Sequence, residues 1–276
     1  MKLSTYLEYG VHSFEVPFLK KLKALGFDGI DFCFHRSLFY DGKEDENIAR
    51  IKQNFDEAGL VCSQVHLPYY DLLLPSTCYD EEVEKQMAYA FKAMQVLGAK
   101  WGAWHPVSAP EANHDRKTAM KGNKEMLKRH LEAAEKYGAG IAVENIFAPF
   151  FSWQVEDHIE LIESMDSPLV GACWDFGHAN LQKSERGHIE DFKMIVDKIK
   201  ILHVDDNHAC EDRHLCPGIG KVNFTELLPI LFRSGFSGFF NMECGVHCTS
   251  EELDLLYYDL IVKCSRILIR DAMAKI

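Results

Sequence analysis

The sequence predicts a single-domain (β/α)8 barrel of the α/β class, and three observations carry this prediction. Eight short apolar stretches recur along the 276 residues, longer segments of helical period separate them, and glycine ends several of those segments. No linker, low-complexity tract or block of like charge divides the chain, so we expect one domain over residues 1–276. A doubly wound open sheet is the alternative, which the lack of a glycine-rich phosphate loop after the first strand disfavours.

The apolar stretches are near-continuous runs, which are typical of strands covered on both faces in a parallel sheet. They are KLSTYLEY (2–9), FDGIDFCF (27–34), LVCSQVH (60–66), KWGAWH (100–105), GIAVEN (140–145), LVGACWD (169–175), KILHVDD (200–206) and FFNMEC (239–244). Segments between them, such as FLKKLKALG, place apolar residues at spacings of three and four, as amphipathic helices do. Glycine can take the left-handed conformation that closes a helix. It stands at such ends as Gly26, Gly59, Gly98, Gly138 and Gly235.

Composition and charge narrow the function classes. The formal net charge is −12, from 42 acidic and 30 basic residues, whereas binding to a nucleic-acid backbone needs clustered Lys and Arg; nucleic acid is therefore an unfavoured partner. No stretch approaches the roughly 18 apolar residues of a membrane span, and MKLSTYLEYG is too short and polar for a signal peptide. The nine cysteines are scattered without a CxxC motif, so we expect reduced thiols and a cytoplasmic protein.

Six of the predicted strands end in residues that commonly bind metals. They are His66, His105, Glu144, Asp175, His203 and Glu243, separated by 28 residues (175 to 203) to 40 residues (203 to 243), about one β/α unit. Because all carboxyl ends of barrel strands open onto one face, we expect these side chains to form a shared metal site. Each residue alone has a simpler interpretation: a strand-end histidine can be structural, and Asp175 could cap a turn that begins at Phe176.

Two further segments could add to this site. His178 follows Asp175 by one turn and could reach back over the mouth of the barrel. After the seventh strand, Asp212 and His214 flank Arg213 and would point the same way in an extended segment. PGIG (217–220) then turns the chain before a helix that begins near Asn223. The alternative for this segment is a solvated polar loop.

The chain resembles the xylose isomerase-like TIM-barrel superfamily, which includes sugar and sugar phosphate isomerases and epimerases, and endonuclease IV. The resemblance runs from LGFDGIDF to GFFNMECG, and its most specific parts are VEN, WDFGHAN, HVDDN, DRHLCPGIGKVNF and MEC. The ketose 3-epimerase branch implies one divalent ion held by Glu144, Asp175, His203 and Glu243. Mixed carboxylate and imidazole ligands suit Mn²⁺, Zn²⁺ or Co²⁺.

The same resemblance implies how the site would act on a sugar or sugar phosphate. The ion would polarise the carbonyl and stabilise an enediolate, while Glu144 and Glu243 exchange the proton. His66, His105 and His178 would bind substrate, and Arg213 lies near a substrate-binding Arg of that branch. Related barrels often form dimers or tetramers, so the resemblance is compatible with a homo-oligomer, although the sequence does not give the oligomeric state.

Endonuclease IV provides the principal alternative. That family holds three zinc ions with nine residues, and the matching positions here are His66, His105, Glu144, Asp175, His178, His203, Asp212, His214 and Glu243. Three features favour the isomerase: the acidic charge, the apolar and aromatic IFAPFF (146–151), and LPYYDLLLP (67–75), which resembles a lid over a small substrate. An inosose-type dehydratase and a sugar-binding barrel without catalysis are further alternatives.

Overall fold

A computed structural model describes residues 1–39, 42–69, 80–107, 116–147, 154–182 and 184–276. The predicted lid LPYYDLLLP lies outside the described residues from position 70 onward, as does IFAPFF from position 148. The remaining sequence predictions can be compared with the structure directly.

Eight parallel strands alternate with helices, which confirms the predicted (β/α)8 barrel. The strands are β1 (Leu3–Glu8), β2 (Gly29–Cys33), β3 (Val61–His66), β4 (Trp101–Trp104), β5 (Gly140–Glu144), β6 (Val170–Asp175), β7 (Ile199–His203) and β8 (Phe240–Met242). The helices in the described part of the chain are α1 (Val16–Leu25), α2 (Glu44–Ala58), α3 (Glu81–Leu97), α4 (Arg116–Glu135), α5 (Val155–Glu163), α6 (Phe176–Leu181), α7 (His188–Ile195), α8 (Phe224–Arg233) and α9 (Glu251–Met273). None of these helices is long and apolar enough to cross a membrane.

The strands follow one another around the barrel in chain order, with β8 beside β1. Closure occurs between β7 and β8, where Val204 pairs with Met242 in a parallel bridge. The Val204 N–H donates to the carbonyl of Asn241 at 2.8 Å, and the Glu243 N–H donates to the carbonyl of Val204 at 3.2 Å. These bonds bring the ends of β7 and β8 together, and with them the residues that follow each strand.

The predicted helix-ending glycines have the left-handed backbone conformation. All five have positive φ, from 63° at Gly138 to 114° at Gly26. Residues with a Cβ rarely adopt this conformation, so glycine there lets each helix stop and the chain turn directly into the next strand. Short local segments of the sequence thus determine where each of these helices ends and the next strand begins.

The interior of the barrel contains a buried polar layer as well as an apolar one. Ala103, Ala142, Cys173 and Ile201 form a small apolar cluster separate from the main core between strands and helices. In the polar layer, Asp31 Oδ2 accepts hydrogen bonds from Gln64 Nε2 at 3.0 Å and Asn241 Nδ2 at 2.7 Å. The amide of Gln64 also donates to the carbonyl of Leu202 at 3.2 Å. These contacts connect β2, β3, β7 and β8 across the interior.

A single buried carboxylate holds the long loop that follows β7. Asp206 Oδ2 accepts from the backbone N–H groups of Gly218 and Gly220 at 2.9 and 2.8 Å, and Oδ1 accepts from that of Val222 at 3.0 Å. Gly220 is required at its position, because a Cβ there would lie 2.3 Å from Asp206 Oδ1. The loop that carries Asp212 and His214 is therefore an ordered structure, and it ends at α8, which begins beside Asn223 as predicted.

Replacing Asp206 with Ala should lower the free energy of unfolding by about 2–4 kcal/mol, because several backbone N–H groups of the loop lose a charged acceptor. Urea denaturation followed by circular dichroism would measure this. Glu211→Ala, an exposed carboxylate in the same loop, is the matched control and should change stability by no more than about 0.5 kcal/mol. Equal stability of the two variants would show that Asp206 does not hold the loop.

Candidate metal centre

The six strand-end residues lie together at the carboxyl-terminal mouth of the barrel. Four of them, Glu144, Asp175, His203 and Glu243, each offer one ligand atom, and these four atoms lie within 4.8 Å of one another. All four residues are buried. We call this set the main donor group. The barrel topology explains it, since β5, β6, β7 and β8 deliver their ends to the same place.

Glu144 is surrounded by four histidines. Its Oε1 lies 3.2 Å from Nδ1 of His203 and 3.2 Å from Nδ1 of His178. Its Oε2 lies 3.0 Å from Nε2 of His105 and 4.0 Å from Nε2 of His66. The two oxygens of one carboxylate therefore face different pairs of imidazoles.

The histidines determine the ionisation of the buried glutamates. Burial raises the pKa of the Glu144 carboxyl, but the charges of His203 and His105 outweigh it and hold that pKa well below its ordinary value. Burial likewise opposes ionisation of Glu243, and His203 lowers its pKa to about 2. Both glutamates are therefore anionic at neutral pH, the form required of a metal ligand or a general base.

Two buried atoms of the main donor group fit a cation. Asp175 Oδ2 and His203 Nδ1, 3.9 Å apart, have no hydrogen-bond partner among the described residues. Burial, together with the charge of Asp205, raises the pKa of Asp175 well above its usual range, so the site gains from a positive charge. The other oxygen of Asp175 accepts from the His178 N–H at 2.5 Å and caps α6. Asp175 therefore caps α6 with one oxygen and faces the main donor group with the other.

A second donor group consists of His178, Asp212 and His214. Asp212 Oδ2 lies 3.3 Å from His178 Nε2 and 3.2 Å from His214 Nε2. Nδ1 of each ring faces a backbone carbonyl, that of Asn145 at 2.9 Å for His178 and that of Glu243 at 2.9 Å for His214. When both Nδ1–H groups donate to these carbonyls, both Nε2 atoms face the carboxylate, where a bound metal ion would replace their protons.

A third donor group shares Glu144 with the first. It comprises His66, His105 and Glu144. His66 Nδ1 lies 3.1 Å from the carbonyl of Leu67, which again leaves Nε2 directed at the carboxylate. The Tyr69 ring packs near both imidazoles, at 5.4 Å from His66 and 5.1 Å from His105. The nine residues that match the endonuclease IV ligand positions therefore all lie in these three donor groups.

Arg213 is placed differently from its neighbours in the loop. Its side chain is exposed and pairs with Glu211 at 2.6 Å, while Asp212 and His214 on either side turn into the mouth. Its assignment as a substrate-binding residue stays a prediction. Within the DRH segment, Asp212 and His214 therefore belong to the site, whereas Arg213 faces solvent.

Two supporting residues were not singled out from the sequence. The Asn145 side chain accepts from the Asp175 N–H at 2.7 Å and donates to the Asp175 carbonyl at 2.9 Å. Asp205 accepts from the Gly177 N–H at 3.0 Å, and a Cβ at Gly177 would lie 2.3 Å from its other oxygen. The asparagine of VEN and the glycine of WDFGHAN are the signals that could have indicated these contacts.

Metal uptake should release protons, and affinity should rise with pH. Burial works against charge on His203, yet the carboxylates of Glu243 and Glu144 raise its pKa well above the ordinary value. The ring is therefore protonated at neutral pH in the metal-free protein, and a metal ion must displace that proton. Titration calorimetry with Zn²⁺ in two buffers of different ionisation enthalpy would count the protons released.

The affinity should increase steadily between about pH 6 and pH 8, because the metal-free pKa lies above its unperturbed value of ~6.5. His208→Gln, which alters an exposed histidine in the loop after β7, is the control and should leave the proton count unchanged. A dissociation constant independent of pH would contradict the protonation state described for His203.

Comparison with known proteins places this architecture in a family. A family model described as xylose isomerase-like TIM barrel matches residues 19–257. The uncharacterized protein MJ1311 of Methanocaldococcus jannaschii is 26% identical over 232 residues, covering 82% of this chain and 77% of that protein. The inosose isomerase of Halalkalibacterium halodurans is 27% identical over 175 residues, covering 59% of this chain and 61% of that enzyme.

Solved structures share the fold along the full length of the chain. A D-tagatose 3-epimerase-like protein superposes with a TM-score of 0.76 at 23% identity and covers 99% of this chain and 100% of its own. The IolI protein with a bound zinc atom superposes with a TM-score of 0.76 at 19% identity and covers 100% of this chain and 99% of its own. At these identities the structures show a common fold. With the family model matching most of its length, the chain belongs to the xylose isomerase-like TIM-barrel family.

Proposed function

We propose that the chain is a divalent-metal-dependent isomerase or epimerase of a sugar or sugar phosphate. The observation that carries this proposal is the position of His203 between the two glutamates of the main donor group. Its Nδ1 lies 3.2 Å from Glu144 Oε1 and 2.8 Å from Glu243 Oε2. Two anionic carboxylates, delivered by the non-adjacent strands β5 and β8, thus flank one point at the mouth.

The residues suit proton transfer at a carbon beside a carbonyl. A divalent ion held by Glu144, Asp175, His203 and Glu243 would polarise that carbonyl and acidify the neighbouring C–H. One ionised glutamate would accept the proton, and the other, after taking up a proton from solvent, would return one. Return to the opposite face gives an epimer, and return to the adjacent carbon gives an isomer. Mn²⁺, Zn²⁺ and Co²⁺ all accept this ligand set, and the bound zinc in IolI supports zinc among them.

The names of the relatives and the aromatic rim support a small sugar as substrate. An inosose isomerase and a D-tagatose 3-epimerase-like protein are among them. Tyr69 lies beside His66 and His105, and the Phe147 ring lies 5.2 Å from His178. Aromatic rings offer apolar faces to the C–H groups of a sugar while the histidines serve its hydroxyls. The imidazoles of His66, His105 and His178 would bind substrate in this arrangement.

Changing Glu243 to Gln should lower the rate of sugar turnover by ~100-fold or more, because a positioned acid or base accelerates a reaction by about that factor. The assay is incorporation of solvent deuterium into the C–H bond beside the carbonyl across a panel of ketoses and their phosphates, with Mn²⁺, Zn²⁺ or Co²⁺ supplied. Glu211→Gln, which neutralises an exposed carboxylate, is the control and should retain activity. Full exchange by the Glu243 variant would remove this glutamate from the mechanism.

A second function is favoured by one specific observation. The second and third donor groups supply the additional ligand-type residues that a three-zinc phosphodiesterase of the endonuclease IV kind would need. Five residues of these groups are not part of the main donor group: His66, His105, His178, Asp212 and His214. Abasic DNA is the substrate class of this alternative, and the net charge of −12 disfavours it.

Metal stoichiometry and an Asp212→Asn variant should separate the two functions. For the isomerase, we expect about one tightly held ion per chain, and the variant should keep both that ion and the deuterium exchange. For the phosphodiesterase, elemental analysis should give three zinc ions, and the variant should lose zinc and cleavage of an abasic oligonucleotide. Exchange that disappears with Asp212→Asn would show that the second donor group belongs to the sugar reaction.

A further inference from the structure

Asp31 is a fully buried carboxylate below the main donor group. It lies in the middle of β2, a strand buried throughout. A buried carboxylate is costly unless it is paired or hydrogen-bonded. Asp31 has no Lys or Arg among its ion pairs in the described part of the chain, and His203 is its only cationic neighbour there. The charge therefore has a specific partner.

The orientation of the Asp31 carboxylate is fixed by two amides. Gln64 Nε2 and Asn241 Nδ2 both donate to Oδ2, at 3.0 and 2.7 Å. Asn241 is held in turn by Ser4, whose hydroxyl donates to Asn241 Oδ1 at 2.8 Å. Donors from two other strands thus hold this oxygen as a rigid acceptor.

The same oxygen faces the far side of the His203 ring. Asp31 Oδ2 lies 3.5 Å from His203 Nε2, while His203 Nδ1 lies among Glu144, Asp175 and Glu243. A histidine that gives the Nδ1 lone pair to a metal carries its hydrogen on Nε2 and needs an acceptor there. Cys173 is the other close group, but burial raises the pKa of its thiol, so it is uncharged.

We infer that Asp31 is a positioning residue that acts through His203. Its carboxylate holds the ring so that Nδ1 faces the main donor group, and its charge makes the imidazole a stronger electron donor to a bound ion. This inference rests on the proposed metal-dependent function and adds to it a residue from β2, a strand that contributes none of the nine site residues. The expected consequence concerns metal affinity and is independent of which sugar is bound.

The test measures Zn²⁺ binding by competition with a chromophoric chelator, in full-length protein stripped of metal. Asp31→Asn should weaken binding by about 10- to 100-fold, the usual effect of removing such a partner. Thr5→Val is the matched control: it removes a buried hydroxyl of β1 whose partner is the Met242 carbonyl at 3.5 Å, and it should change zinc affinity less than ~3-fold. Thermal unfolding of the metal-free proteins reports any general loss of structure in both.

A second background shows whether Asp31 acts through the ring. In protein carrying His203→Gln, adding Asp31→Asn should produce no further loss of zinc affinity, because coupled residues are not additive. If Asp31→Asn does not fold, the charge-exchanged pair Asp31→Asn with Gln64→Glu takes its place. That pair keeps a carboxylate in the layer but removes it from His203, and it should show the same weakening.

Three results would overturn the inference. They are unchanged zinc affinity in Asp31→Asn, the same loss in Thr5→Val, and an equal further loss in the His203→Gln background. Each leaves zinc binding by the wild type, and with it the proposed function, intact. Failure of the wild-type protein to bind any of Zn²⁺, Mn²⁺ or Co²⁺ would instead overturn the proposed function, and the inference together with it.

Discussion

The site depends on one buried charge, the carboxylate of Glu144, and on the four imidazoles around it. An ionised carboxylate that is fully buried costs several kcal/mol unless opposite charge and hydrogen bonds compensate it. His203 and His105 provide that compensation and keep its pKa well below the ordinary value. Because the imidazoles come from β3, β4, β7 and the turn after β6, the charge can be satisfied only when the ends of those strands meet. The ionisation of Glu144 therefore depends on the closed barrel.

Backbone carbonyls orient the histidines, and these carbonyls belong to the site itself. The rings of His66, His178 and His214 face the carbonyls of Leu67, Asn145 and Glu243. Each of these carbonyls lies in, or next to, a residue of a donor group. Moving one strand end therefore disturbs both the ligand it carries and the ring that its backbone holds. His214 has a φ of 43°, a left-handed conformation that costs a non-glycine residue about 1–2 kcal/mol. The anchoring of the loop by Asp206 offsets this cost and keeps the ring directed at the mouth.

The sequence was sufficient to predict the barrel and the strand-end residues that meet at its mouth. Both depend on local patterns and on the position of a residue at the end of its strand. Apolar runs, helical spacings and left-handed glycines are visible in short windows, and a side chain that ends each run reaches the same face in any barrel. Asp31 and Asn145 could not be placed in this way. The role of Asp31 arises from contacts with Gln64 on β3 and Asn241 on β8, which are far apart in sequence. A carboxylate within the apolar FDGIDFCF gives no sign of its partner. Arg213 shows the converse problem, because its motif placed it correctly along the loop but could not tell which way its side chain turns.

The divergence of the two Glu144 oxygens bears on how many ions the mouth can hold. Oε1 faces His203 and His178, whereas Oε2 faces His105 and lies 4.0 Å from His66. A carboxylate that serves a single ion needs only one of these sides. The imidazoles on the other side can then act as hydrogen-bond partners for substrate hydroxyls. If ions were held on both sides, Glu144, His66 and His105 would be available as ligands on the second side. His66 and His105 can therefore serve either as substrate contacts or as metal ligands, and a metal ligand must present an Nε2 without hydrogen, whereas a substrate contact can donate or accept.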